Sequence, residues 1–228
     1  MTANPRTKYM AGFSLIELSI VLIIVSLLAS NLLPNLQQQR QQQAIQLSQQ
    51  KLETAREALM AYALLNGNLP CPDWQTNPSD SNYGLAADSC INSPSEGWLP
   101  FRTLGLAEGD GWFGLLPGSQ AGRIVYRVDP AFTRSFSQRI SLNTTFISNL
   151  SVVDFSGNKL TSEVERPIAI LISSGPDGQL NGENASFELD SQIPRYESHP
   201  QTAGFDDLLI WLGRPSLYGV LVKGGANL

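Results

Sequence analysis

The sequence predicts an α+β fold in which one long N-terminal helix, apolar in its first half and amphipathic in its second, packs on an antiparallel β-sheet head. Three observations predict it. The run FSLIELSIVLIIVSLLASNLL, residues 13–33, carries one formal charge, Glu17. After it, Ile45, Leu52, Ala55, Leu59 and Tyr62 fall on an a/d-like helical stripe that can face a sheet. From Arg123 onward, short β-rich runs alternate with Gly, Pro and Asn.

The chain has 228 residues, 42% hydrophobic and 15% charged, enough for one core-bearing domain and an appendage. With 15 basic and 20 acidic residues its net charge is −5, which offers no footprint for broad nucleic-acid binding. One histidine, His199, and two cysteines cannot build a four-ligand zinc site, and no Gly-rich phosphate cradle or G-x-S-x-G elbow occurs. No enzymatic activity is expected, and no cofactor is required.

As a helix, residues 13–33 are long enough for a hydrocarbon core of about 30 Å. Arg6 and Lys8 precede them without an acidic residue, so the positive-inside rule keeps residues 1–12 cytoplasmic and sends the rest outward. An ordinary signal peptide has a shorter apolar run and a small-x-small cleavage site behind it, and only Ala29-Ser30 weakly suggests one. The small residue that stands out is Gly12, in front of the run and followed by Phe13-Ser14-Leu15-Ile16-Glu17. A carboxylate within an apolar span costs about 2.5–3.5 kcal/mol, so Glu17 is expected where a cation offsets that cost. The alternative is an uncleaved anchor whose Glu17 snorkels into water.

The motif G-F-S-L-I-E resembles the class III signal of type IV prepilins and type II secretion pseudopilins. The resemblance implies that a prepilin peptidase/N-methyltransferase cuts after Gly12 and methylates the amine of Phe13. It implies that Glu17 pairs with the N-terminal amine of a neighbouring subunit during assembly. It also implies a pilin-like fold, with a bacterial inner-membrane, single-pass precursor whose head lies in the periplasm before entering a pilus or pseudopilus. The implied partners are other pilin or pseudopilin subunits, the inner-membrane assembly machinery and, before assembly, membrane lipid.

Pro34 is expected to kink or locally open the helix, or else to mark the end of the span. The glutamine-rich tract from Gln37 to Gln50 reads as a solvated helix face, and Asn66-Gly67 with Pro70 reads as the helix stop. The expected organisation is a leader at 1–12, a transmembrane or filament-core helix at 13–33, an amphipathic helix at 34–65 and an α+β head at 66–228.

In the head, Cys71 and Cys90 are expected to form a disulfide that closes a loop poor in core residues; two buried free thiols are the alternative. Strands are expected at 123–128, 146–153, 166–173, 207–212 and, more weakly, 217–222. Asp110-Gly111-Trp112-Phe113-Gly114 resembles a turn of the major pseudopilin, and the stretch from Ile172 to Gly178 resembles its calcium loop. There Asp177, Asn181, Asn184, Asp206 and Asp207 offer oxygens of the kind calcium takes. A plain turn at Asp177-Gly178 is the alternative. His199, beside Pro200, reads as surface polar.

The function expected is that of a structural prepilin-like subunit, a minor pilin or pseudopilin, assembled by helix packing. The rival is a membrane-anchored extracytoplasmic binding module or adhesin, including a DNA-uptake pilin, with Trp74, Tyr83 and Trp98 stacking on a ligand. Head residues 66–228 carry 10 basic and 17 acidic side chains, which weighs against broad DNA affinity.

Overall fold

The structure, a computed structural model, describes residues 14–90, 96–112, 122–134, 139–185, 195–202 and 204–226, without the side chains of 28–38. Helix α1 runs Leu15–Asn66. It is followed by β1 (Glu96–Trp98), β2 (Val125–Val128), β3 (Ser151–Val153), β4 (Pro167–Ser173), β5 (Arg195–Glu197), β6 (Leu208–Gly213) and α2 (Arg214–Lys223). Two compact units divide the chain, Met1–Gln43 and Ala44–Leu228.

In the second unit, β1-β2-β4-β6 form a four-stranded sheet with every neighbour antiparallel. Strand β4, PIAILIS, lies in its interior and is buried at every position, as its unbroken apolar run requires. Its alternate residues feed two cores. Leu171 joins Leu52, Ala55, Leu59 and Ala63 of α1, together with Tyr126, Phe132 and Leu212. Ile170 and Ile172 point the other way, into Val125, Leu150, Val152 and Tyr196. The helical stripe thus continues through fully buried Ala63, four residues after Leu59, whereas Tyr62 is only half-buried. In the glutamine-rich tract, Gln39, Gln41, Gln42, Gln43, Gln46, Gln49 and Gln50 are exposed.

Helix α1 stops where Gly67 takes φ 79° and donates its N–H to the Ala63 carbonyl at 2.8 Å. At Pro34 the helix is uninterrupted. Cys71 and Cys90 are bridged, with Cα atoms 5.8 Å apart. Beside the bridge, the guanidinium of Arg123 meets the Asp73 carboxylate at 2.5 Å, and both side chains are almost fully buried. The same guanidinium lies 4.4 Å from the Tyr83 ring centroid and 4.5 Å from that of Trp98.

The expected fold class is corrected on three counts. Among the described residues no helix is long and apolar enough to cross a membrane, which overturns the transmembrane half and the single-pass inner-membrane placement. The head is not purely antiparallel either, because β3 and β5 pair in parallel as a separate two-stranded sheet. Finally, the expected strand at 217–222 is part of α2: Pro215 suits a first helical turn, and buried Leu217 and Leu221 repeat at four residues rather than two.

Two predictions follow from the buried pair and the bridge. Asp73→Ala leaves the Arg123 charge buried and should cost about 3–5 kcal/mol in urea unfolding. Replacing both Cys71 and Cys90 by Ser should cost about 3 kcal/mol, with faster amide exchange first in residues 72–89. A loss below about 1 kcal/mol in either case would show that the loop stands without that tie.

Candidate functional site

The chemistry expected at Gly12 and Phe13 lies outside the described residues. Just beyond it, Ser14 opens α1: its hydroxyl accepts the Ile16 N–H at 3.3 Å, and its carbonyl accepts the Leu18 N–H at 3.1 Å. Glu17 stands three residues after this cap, in the first turn, where the positive end of the helix dipole favours a carboxylate. Ser14-Leu15-Ile16-Glu17 is therefore a capping-box sequence, a signal missed when Glu17 is read only as a charge within an apolar run. Glu17 is exposed, as are the neighbouring apolar side chains: Leu15 is 87% exposed, Ile16 69% and Ile23 60%. Ser19 and Ser26 turn their hydroxyls onto the carbonyls of Ile16 and Leu22, so they place no unsatisfied donor on this surface. The first unit thus presents an apolar helix surface with one carboxylate near its start.

In the second unit, the five residues considered for calcium do come together. Asp207, 3% exposed, accepts the Asn181 N–H and the Asn184 side-chain amide, both at 2.9 Å. The Asn181 side-chain oxygen accepts the Asp206 N–H at 3.0 Å, and that of Asn184 accepts the Glu197 N–H at 2.8 Å. Asp206 accepts the Asp177 N–H at 3.3 Å. Gly175 makes the close approach feasible, since a Cβ there would lie 2.5 Å from the Asp206 carbonyl oxygen.

These bonds use the side-chain oxygens of both asparagines, while one carboxylate oxygen each of Asp206 and Asp207 is buried without a hydrogen-bond partner. Calcium takes about six to eight oxygens. Among the described residues no group of three His, Cys, Asp or Glu side chains is arranged to hold a metal ion. The hydrogen bonds build a corner that pins the loop after β4 to the entry of β6. Burial raises the Asp207 carboxyl to about 6, with the charges of Asp206 and Asp177 adding to the effect. Asp206 is raised in the same direction by burial and by Asp177.

His199 is corrected from surface polar: its side chain is 10% exposed, lies 3.2 Å from Glu197 and stacks on Phe205 at 3.9 Å between centroids. Asp110 of the turn motif is fully buried, accepting the Ser173 hydroxyl at 2.6 Å and the Trp112 N–H at 3.0 Å; Phe113 and Gly114 lie outside the described residues. The three aromatics considered for ligand stacking are already engaged. Tyr83 packs edge-on to Phe101, Trp98 flanks Arg123, and Trp74 donates to the Glu96 carbonyl at 3.0 Å. Comparison with known proteins finds no matching family model, curated protein or solved structure.

The raised Asp207 gives a pH dependence with a definite sign. Between the ordinary carboxylate value of about 4 and about 6, the folded chain keeps a proton that the unfolded chain has released. Its contribution is therefore fully present below about pH 4 and is lost as pH rises through about 6. Asp207→Asn should flatten the fall of the urea midpoint across that window. Glu96, Asp110, Asp129 and Asp206, also raised chiefly by burial, should keep part of it. An unchanged slope in the variant would mean that Asp207 ionises like an exposed carboxylate.

Proposed function

We propose that this chain is a prepilin-like structural subunit, a minor pilin or pseudopilin, which works by helix packing in a type IV pilus or a type II secretion pseudopilus. A prepilin peptidase cuts after Gly12 and methylates the new amine of Phe13. The observation that carries this reading is the exposed apolar surface of α1 from Leu15 to Leu27. A helix apolar on every side is a buried helix, and burial of one such Leu, Ile or Val side chain is worth about 1.5–3 kcal/mol. Equivalent helices of neighbouring subunits supply that cover in a filament core.

Glu17 then has two successive partners. Before assembly the helix N-terminus and water hold its charge; within the filament, the free amine of a neighbouring subunit's first mature residue replaces the water lost on burial. This makes Glu17 a device for register, since only one axial offset brings carboxylate and amine together. No catalytic step is assigned to the chain.

Mass spectrometry of filament-associated protein should find an N-terminal methylated Phe13, and retention of Met1 there would overturn the reading. Glu17→Ala and Glu17→Gln should both reduce co-assembly with the other subunits at least tenfold, with the protein level unchanged. Wild-type incorporation of both variants would remove Glu17 as the register element.

A further inference from the structure

The ring of His199 meets an acceptor on each side. Its Nδ1 lies 2.8 Å from the Pro200 carbonyl oxygen, and its Nε2 lies 3.2 Å from one carboxylate oxygen of Glu197. A neutral imidazole carries one N–H and one lone pair, so it satisfies one of these acceptors and not the other. Only the imidazolium, with an N–H at both nitrogens, bonds to both. The surroundings fix the two acceptors. The second carboxylate oxygen of Glu197 accepts the Glu183 N–H at 3.1 Å, and the Glu197 backbone N–H goes to the Asn184 side chain at 2.8 Å. A Cβ at Gly182 would run into the same carboxylate, so only glycine leaves its seat open. The face of the His199 ring stacks on Phe205 at 3.9 Å, and Phe155 meets it edge-on at 6.2 Å. Phe205 in turn exchanges backbone hydrogen bonds with Thr202. One side chain therefore ties β5 and the 3-10 turn Gly182–Ala185 to the turn that leads into β6.

We propose that His199 is a pH-sensitive clasp of the second unit, closed while its ring is charged and released when the ring gives a proton to water. Release breaks one of the two bonds, loosens Glu197 and takes the cover off Phe205 beside the exposed ring of Phe155, while the four-stranded sheet stays folded. Histidine changes charge between about pH 5 and 8, which sets the range in which the clasp works. The folded chain binds the charged ring on both sides and the unfolded chain does not, so the stabilisation is present at the acid end and is lost as pH rises. The charged groups around the ring act in the same sense. Glu197 touches it from β5. Asp154, after β3, is lowered by its bonds to Asn158 first, with the His199 charge contributing. Glu183 is occupied by Arg195 at 3.1 Å. Asp206 and Asp207 follow Phe205, and the contribution of Asp207 is lost through about pH 6, at the acid side of the range. The proposal concerns the second unit alone and does not rest on the filament reading.

His199 is the only histidine, so nuclear magnetic resonance of the unsubstituted full chain reads its ring directly. At about pH 5.5 both ring N–H protons should be visible and slow to exchange with water, since each is held by an acceptor. Amide protection at Glu183, Thr202 and Phe205 should fall about tenfold between about pH 6.5 and 8, the loss of one hydrogen bond to a charged group. Protection along β4 should not change over the same range. His199→Gln keeps an N–H donor that does not titrate, so it should abolish the fall. Fewer than two slowly exchanging ring N–H protons at the acid end overturns the proposal, as does constant protection at the three amides. The same fall in His199→Gln assigns the effect to another group and overturns it too, and a fall shared by β4 replaces a local clasp with global unfolding.

Discussion

The buried guanidinium of Arg123 is the constraint on which the second unit depends. Its charge sits where water does not reach, and the chain surrounds it: the Asp73 carboxylate at 2.5 Å, the Gln75 carbonyl at 2.8 Å, Glu108 at 3.8 Å, and the faces of Tyr83 and Trp98. Asp73 in turn accepts the N–H groups of Gln75 and Gly84, each at 2.8 Å. A buried ion is tolerated only when its partners replace the lost hydration, and here they do so by drawing the disulfide loop, the turn at Glu108 and two strands onto one point. The same cluster pushes the Tyr83 hydroxyl up to about 12, through burial first and then its hydrogen bond to Glu108. The edge of β1 is closed as a by-product, because the backbone that presents Asp73 is the backbone that pairs with Trp98.

With that corner held, the sheet buries both faces. α1 covers one through Leu52, Ala55, Leu59 and Ala63, while the parallel pair β3–β5 with Leu150 and Tyr196 covers the other. The second unit therefore has a complete core of its own. In the first unit the apolar side chains from Leu15 to Leu27 remain exposed, so their hydrophobic free energy is available to intermolecular packing. Exposed large apolar side chains also stand on the second unit, Leu65, Leu142, Phe155 and Val164 among them, while Trp74, Tyr83 and Trp98 are engaged internally.

Electrostatics adds a second theme. Glu96, Asp110, Asp129, Asp206 and Asp207 are all raised, with burial the leading cause in each. Each sits at a junction between elements: Glu96 bonds to the Tyr196 hydroxyl between β1 and β5, Asp110 to Ser173 at the end of β4, and Asp129 to the N–H groups of Ile147 and Ser148. The unit uses carboxyl groups as acceptors for backbone and hydroxyl donors in places too dry for a free charge, so its ties hold better as the pH falls toward the ordinary carboxylate range.

What the sequence by itself determined is what local chemistry decides. The spacing of Leu52, Ala55 and Leu59 specifies a helix face, Gly67 its stop, PIAILIS an interior strand, and the only two cysteines a bridge. Ser14-Leu15-Ile16-Glu17 was legible too, as a capping box. Only the tertiary structure decided the rest. Arg123 finds Asp73 fifty residues away, and β3 pairs with β5 in parallel across an intervening strand. Residues 217–222, apolar enough for a strand, become helix because Leu217 and Leu221 find cover on one side only. Asp177, Asn181, Asn184, Asp206 and Asp207 gather as their residue types suggested, with the side-chain oxygens of both asparagines spent on amide donors of the chain and one carboxylate oxygen each of Asp206 and Asp207 left without a hydrogen-bond partner. The physical reason is common to all of these: period and turn chemistry act within a few residues, whereas the partner of a buried charge, a strand edge or a carboxylate oxygen is whichever group the completed fold brings within 3 Å.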